Sequence, residues 1–292
     1  IEVNWLIDVL CFKDRKARWT SFVAAMKAAK AFAMPGTHVL WIANAAETFD
    51  IVHKLVDGFY KNMPEYARPD VKGTEWGQEN KVLRFPLPDG GEITSTFTLR
   101  TANNANLGSG QTPTDLVFDE YPKFPKSVSA SAQSSVRASL PPSTSFWRGG
   151  TAGPEGPDCT MYDEIQAIKS GEQQTLYLVR LWFQNPANVL EEGNPYRLTA
   201  DRLDENIRVG EGDGLDRETE RALVPQFPKD GIPWQWRLAR RRKWLQEALL
   251  EAGGPGNEDR AMVLFQREHC EDDESPWLIA GRMQFDAQKM RV

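Results

Sequence analysis

The amino-acid sequence predicts an α/β fold with a mostly parallel sheet flanked by helices. Apolar runs of strand length alternate with segments of helical periodicity over residues 3–63, and further short apolar runs follow. Parallel strands joined by right-handed helical crossovers give this order. A hairpin pattern at 81–101 departs from it, and core strands are no longer apparent beyond about residue 186. We therefore expect an α/β core over 1–186 and a small, mainly helical part over 187–292.

The first four elements follow from periodicity and breaker residues. Residues 3–12 form a nearly continuous apolar run, as a strand covered on both faces requires. Helical spacing follows over 21–34 and stops at a Pro-Gly pair. A second buried strand is predicted at 38–44 and a second helix at 46–63.

The later elements include a β-hairpin around the turn Pro88-Asp89-Gly90-Gly91, whose residues supply the backbone freedom that such a turn needs. The other predicted elements are a strand, a Ser/Ala-rich helix, two core strands, a capped helix and a long helix, at 115–119, 126–140, 143–147, 175–183, 199–209 and 236–252. The stretch 210–233 is predicted to be rich in loops, because it contains several Gly and Pro residues.

Composition excludes several classes of protein. The 35 basic and 41 acidic residues give a formal net charge of −6, which argues against a uniformly basic nucleic-acid coat. The three cysteines lie far apart without a CxxC pair, which predicts reduced thiols and no zinc site. No apolar run reaches the roughly 18 residues of a membrane span, and the first residues are expected to form a strand and not a signal peptide. The basic run 240–243 is predicted to be a solvated helix face, or else a contact to DNA phosphates or a partner, and the acidic run 271–274 is predicted to be solvated.

Two features predict a nucleotide-hydrolysing site. A polar, basic turn at 13–21 separates the first strand from the first helix, and the strand 115–119 ends in Asp119-Glu120. A loop at a helix N-terminus favours phosphates, because its free N–H groups and the helix dipole attract anions. Hydrolysis also needs a hydroxyl and an Asp at Mg²⁺ and a carboxylate for the attacking water. Thr20, Asp119 and Glu120 stand in the order that these roles require.

The turn departs from the standard P-loop, GxxxxGK[ST], and the sequence contains no Gly-Lys dipeptide. If Thr20 takes the final position, Trp19 stands in the lysine slot, Arg18 in the second glycine slot and Lys13 in the first. This displaced lysine, in the pattern K-x-R-K-x-x-W-T, resembles the deviant Walker A motif of the large terminase subunits of tailed bacteriophages.

The resemblance to large terminases continues along the chain. Residues 117–120 stand where that family has its Walker B strand, and the 149–153 stretch, Gly-Gly-Thr-Ala-Gly, looks like its coupling motif. The hairpin before Walker B matches one that these ATPases carry. The segments 234–244 and 265–268 are similar to the region that joins their ATPase and nuclease domains.

The resemblance implies an ASCE/RecA-like P-loop ATPase core over 1–186, followed over 187–292 by a lid and linker. The carboxylate-rich nuclease domain of the family would start after about residue 285, so nuclease activity is not expected. The family uses ATP and Mg²⁺ to drive double-stranded DNA into a procapsid in the host cytoplasm. The implied partners are a portal protein, the procapsid, a small terminase subunit and further copies of the chain in a ring, with no membrane.

The resemblance also implies roles for individual residues. Glu120, Lys13 and Arg15 would be catalytic, while Thr20 and Asp119 would hold Mg²⁺. The nucleotide-binding loop would comprise Lys13, Asp14, Arg15, Lys16, Ala17, Arg18, Trp19, Thr20 and Ser21. Coupling of hydrolysis to movement would fall to Gly150, Thr151 and Ala152.

Some departures from the family pattern leave alternatives open. Arg18 replaces a glycine, so its Cβ is expected to clash or to force a different loop path. The Arg-Gly pair that usually precedes Walker B is missing, because residues 107–110 read Leu-Gly-Ser-Gly. The alternatives are another DNA-translocating or helicase-like ATPase, and a nucleotide-binding module with a degenerate Walker A motif that has lost hydrolysis.

Overall fold

A computed structural model of the chain describes residues 7–14, 17–71, 76–102, 112–125, 127–128, 144–153, 156–186 and 217–277. The chain forms two compact units. The core unit comprises residues 1–12, 18–150 and 158–178, and the C-terminal unit comprises 13–17, 151–157 and 179–292. The predicted helix at 199–209 lies outside the described residues, as does the one at 126–140 apart from residues 127–128.

A seven-stranded sheet runs in the order β3-β4-β2-β5-β6-β1-β7. The strands are β1 (Ile7–Lys13), β2 (His38–Ala43), β3 (Asn80–Pro86), β4 (Glu92–Thr101), β5 (Asp115–Asp119), β6 (Ser145–Gly150) and β7 (Leu176–Arg180). The pairs β1–β6, β6–β5, β5–β2 and β2–β4 are parallel, which confirms the predicted fold class. β6 lies between β1 and β5, so neighbouring strands of the sheet are not consecutive along the chain.

Three helices of the core unit are α1 (Trp19–Ala33), α2 (Ala46–Lys61) and α3 (Thr160–Lys169). The sequence of α1 is rich in Ala, the strongest helix former, and the helix stops before Pro35 and the positive-φ Gly36. Its buried side chains join those of α2 and of β1, β2 and β5 in one apolar cluster. The sheet and these two helices therefore form the main core.

The predicted hairpin forms, and it extends the main sheet. β3 and β4 pair in antiparallel fashion from Asn80↔Thr98 to Pro86↔Glu92, and Gly90 takes a φ of +85° in the turn. β4 also pairs with β2 in parallel, so the hairpin builds one edge of the sheet.

β7 corrects the prediction of a core strand at 175–183. The strand spans only Leu176–Arg180, and Trp182–Gln184 form a 3₁₀ turn instead. β7 lies at the edge of the sheet, and its side chains alternate between exposed and half-buried. An edge strand has a neighbour on one side only, so its apolar residues alone do not indicate burial.

The C-terminal unit is mainly helical, with α4 (Arg217–Leu223), α5 (Trp234–Ala252) and α6 (Glu258–Glu268). Helix α4 lies in the stretch predicted as loops, which corrects that prediction. The helices close over an apolar cluster that includes the rings of Trp182, Phe227, Trp244 and Phe265. None of the helices in the described ranges is both long and apolar enough to cross a bilayer.

Arginines of α5 correct the prediction of a solvated basic face. Arg240 and Arg241 are buried, and Arg241 Nε lies 2.5 Å from the carboxylate of Glu271, itself buried. Arg242 makes a two-point ion pair with Glu220, at 2.9 and 2.7 Å. Buried charges are tolerated when they are paired and hydrogen-bonded. The two acidic partners, Glu220 and Glu271, lie 22 and 30 residues away in sequence from the arginines that they pair with. The prediction that the acidic run 271–274 is solvated is likewise wrong for Glu271.

Candidate functional site

The three predicted motifs reach the same edge of the sheet. Asp119 of β5 pairs with Gly149 of β6, and Gly149 pairs with Cys11 of β1. β1 continues two residues beyond Cys11 and ends at Lys13. The carboxyl ends of parallel strands form the crevice where ligands bind in open α/β sheets.

The two predicted Mg²⁺ residues are in direct contact within the core unit. Thr20 Oγ1 donates a hydrogen bond of 3.0 Å to Asp119 Oδ1. Asp119 is fully buried, and Thr20 lies in the first turn of α1. Hydroxyl and carboxylate oxygens are the hard ligands that Mg²⁺ accepts, so these two residues fit such an ion.

The backbone is strained on both sides of this contact. Within the described ranges, the non-glycine residues with positive φ are Arg18 (φ +54°) and Glu120 (φ +55°). A left-handed conformation costs a residue with a Cβ about 1–2 kcal/mol, and such outliers cluster at functional sites. Arg18 is exposed and immediately precedes α1, so it adopts the left-handed conformation that a glycine in its slot would take easily. The expected clash of its Cβ with phosphates, or a different loop path, stays a prediction.

Trp19, in the lysine slot, is a packing residue. Its side chain is buried, its ring centroid lies 5.7 Å from that of Trp147, and a Cβ added to Gly149 would collide with its indole. The indole therefore anchors α1 against β6. A contribution of the Trp19 backbone to nucleotide binding stays a prediction, as it does for Ser21.

Glu120 begins the turn that follows β5. Its carbonyl oxygen accepts a hydrogen bond of 2.9 Å from the Lys123 N–H, and its carboxylate lies 2.8 Å from Lys123 Nζ. The Glu120 side chain is 16% exposed, so water reaches it. Gly150 permits this turn to approach β6, because a Cβ there would collide with Pro122. Lys123 was not predicted as a site residue, although its spacing of three from Glu120 was visible in the sequence.

The start of the loop belongs to the C-terminal unit. Asp14 is fully buried, its N–H donates to the Arg180 carbonyl at 2.8 Å, and its carboxylate lies 3.0 Å from His269 Nδ1. The His269 ring stacks on Trp244 with a centroid distance of 3.7 Å. Burial, and secondly the charge of Asp14, raise the pKa of the Cys270 thiol. Arg15 and Lys16 lie outside the described residues.

The structure gives the positions of the remaining predicted site residues but shows no role for them. Lys13 is buried at the end of β1, and Ala17 donates its N–H to the Asp14 carbonyl at 3.1 Å. Gly150 ends β6, and Thr151 and Ala152, which follow it, are buried. Among the described residues, no three His, Cys, Asp or Glu side chains form a metal-binding cluster.

Several solved structures are similar to this chain. The ATPase domain of the large terminase of Thermus phage P74-26 has 13% identity over 90% of this chain and 87% of its own, with a TM-score of 0.44. The large terminase of a thermophilic bacteriophage, in complex with ADP, has 18% identity over 67% of this chain and 44% of its own, with a TM-score of 0.46. The helicase domain of Pyrococcus furiosus Hef has 15% identity over 91% of this chain and 55% of its own, with a TM-score of 0.36. No protein-family model matches the sequence, and no curated protein does.

Proposed function

We propose that this chain is an ATP-hydrolysing motor domain of the large-terminase type, which moves double-stranded DNA into a procapsid. The observation that carries the proposal is the Thr20–Asp119 hydrogen bond, followed in sequence by Glu120 in a strained conformation at the carboxyl edge of the sheet. This arrangement supplies the hydroxyl, the metal-binding carboxylate and the adjacent acid that nucleotide hydrolysis requires.

Phosphate binding falls to the loop 13–21 and the N-terminus of α1. Free N–H groups and the helix dipole attract anions there, and the first turn of α1 contains no acidic residue that would repel them. Lys13 and Arg15 supply positive charge to the phosphates in place of the absent P-loop lysine. Thr20 and Asp119 would hold Mg²⁺, and the ion would supply positive charge to the phosphates of ATP.

Glu120 acts as the acceptor for a proton of the attacking water. Its carboxylate is 16% exposed, so water reaches it, and Lys123 Nζ lies 2.8 Å from it. Thr151, in the turn after β6, responds to the presence of the γ-phosphate and couples hydrolysis to movement.

The motif resemblance supports the wider role. We infer that the working assembly is a ring of copies on a portal protein, with a small terminase subunit, in the host cytoplasm. A helicase-like translocase would share the ATPase site but not these partners. A module without hydrolysis would bind nucleotide and release no phosphate, and the strained Glu120 argues for retained chemistry.

The direct test is Glu120→Gln, which keeps the shape of the side chain and removes the proton acceptor. We expect unchanged binding of ATP-γ-S and phosphate release at least ~100-fold slower, within the range that general-base catalysis supplies. Glu79→Gln, at an exposed carboxylate paired with Arg100, is the matched control and should leave both unchanged. Loss of binding together with hydrolysis in Glu120→Gln would indicate a structural role instead.

A further inference from the structure

A buried ionic network lies behind the turn that carries Glu120. Arg148 of β6 is fully buried and donates through its two terminal nitrogens to Asp8 of β1 and Glu164 of α3. The second oxygen of Glu164 accepts a hydrogen bond of 2.6 Å from the hydroxyl of Tyr121, the residue after Glu120. A continuous chain of hydrogen bonds thus joins the first strand to this turn, entirely within the core unit.

The burial of this network makes each member depend on the others. Arg148, Glu164 and Tyr121 are each less than a tenth exposed, and the Asp8 side chain is 13% exposed. Removing one partner from a buried charge pair is costly, because the other charge is left uncompensated. An apolar cluster could fill the same space. The ionic groups therefore give the packing a defined geometry in addition to filling volume.

Glu120 needs such support because its backbone conformation is unfavourable. A strained residue persists only where its surroundings over-determine it. Tyr121 is held on its apolar sides by the rings of Phe118 and Phe124, at 5.5 and 5.6 Å between centroids, and at its hydroxyl by Glu164. Pro122 is fixed on the other side by its close approach to Gly150.

We propose that Tyr121, Glu164 and Arg148 are positioning residues that hold Glu120 in its left-handed conformation and so aim its carboxylate at the attacking water. They act through Glu120 and touch neither the nucleotide nor the water. The inference rests on the proposed ATPase function for its kinetic consequence, whereas its structural consequence is independent of that function.

The test is Tyr121→Phe, which removes one hydroxyl and keeps the ring packing. Tyr60→Phe is the matched control, because the Tyr60 hydroxyl donates to the Pro69 carbonyl at 2.9 Å in the same unit. We expect Tyr121→Phe to lower kcat for ATP by ~10-fold or more with unchanged ATP-γ-S affinity, since small misplacements of a catalytic group reduce rates strongly. Tyr60→Phe should alter neither quantity. A wild-type kcat in Tyr121→Phe would overturn the inference.

A second readout tests the positioning role independently of ATP hydrolysis. A wild-type chain that fails to hydrolyse ATP would refute the proposed function but not this role. The ¹³Cα and ¹³Cβ chemical shifts of Glu120 report its backbone conformation. They should move away from left-handed values in Tyr121→Phe and in Glu164→Leu, and stay unchanged in Tyr60→Phe. A Glu120 that keeps its positive φ in both network variants would overturn the inference.

Discussion

Arg18 offers a quantitative test of the strain at the start of α1. It has φ +54° and ψ +27°, is exposed, and stands in the position that the sequence predicts for the second glycine of a P-loop. Arg18→Gly removes the Cβ that makes this conformation costly, and Arg18→Ala removes the guanidinium but keeps the Cβ. The comparison of the two variants therefore isolates the backbone effect.

The expected magnitude follows from two opposing contributions. Relief of the left-handed strain stabilises the glycine variant by about 1–2 kcal/mol. The greater flexibility of glycine in the unfolded chain offsets about 0.5–1 kcal/mol of this. The net difference is about 0–1.5 kcal/mol in favour of Arg18→Gly over Arg18→Ala. The midpoint of this range corresponds to roughly 2–3 °C in Tm for a domain of this size.

The assay is urea unfolding of the two variants, followed by circular dichroism and checked by thermal melts. Equal m-values would show that the two unfolding transitions expose the same surface. An Arg18→Gly variant that is less stable than Arg18→Ala would refute the assignment of a strained, left-handed Arg18. Nucleotide binding by Arg18→Gly should be at least as tight as in the wild type, because the loop gains freedom to approach the phosphates.

Three further substitutions test the rest of the site and the core. Lys13→Ala should abolish ATP hydrolysis while the circular dichroism spectrum stays native, and near-wild-type turnover would exclude Lys13 from the site. Thr151→Val keeps the size of the side chain, so we expect it to bind ATP but to lose hydrolysis or its coupling to DNA movement; survival of both in a reconstituted packaging assay would make the turn a simple loop. Burial, and secondly the charge of Lys81, lower the pKa of His53 in the folded chain. The unfolded chain therefore binds a proton at His53 more readily than the folded chain does. The free energy of unfolding should fall as pH drops below about 6.5. His53→Asn should flatten that slope in pH-dependent urea titrations, and an unchanged slope would assign it to other groups.

The strands and helices of the core unit could be predicted because each carries a local signal. β5 has the predicted bounds, and β2 differs from its prediction by one residue, since both are short apolar runs between polar breakers. The helix predicted from residue 21 begins two residues earlier, at Trp19. The left-handed Arg18 explains this difference, because it makes the turn that allows α1 to start there.

The contacts that support the site could not be predicted, because they join residues distant in sequence. Asp14 and His269 are 255 positions apart, and Asp8 and Arg148 are 140 apart. A single sequence shows charges but not their partners. The basic run of α5 therefore predicts a solvated face, although Arg240 and Arg241 are buried. Thr20 and Asp119 are 99 residues apart, and the sequence relates them only because a specific chemistry requires both; their hydrogen bond is observed, and their role at Mg²⁺ stays a prediction.

Phosphate release from ATP by the wild-type chain is the decisive measurement for the proposed motor activity. We expect release that requires Mg²⁺, increases when double-stranded DNA is added, and falls at least ~100-fold in Glu120→Gln while ATP-γ-S binding is retained. A wild-type chain that binds ATP-γ-S yet releases no phosphate, with or without DNA, would exclude hydrolysis and identify a nucleotide-binding module.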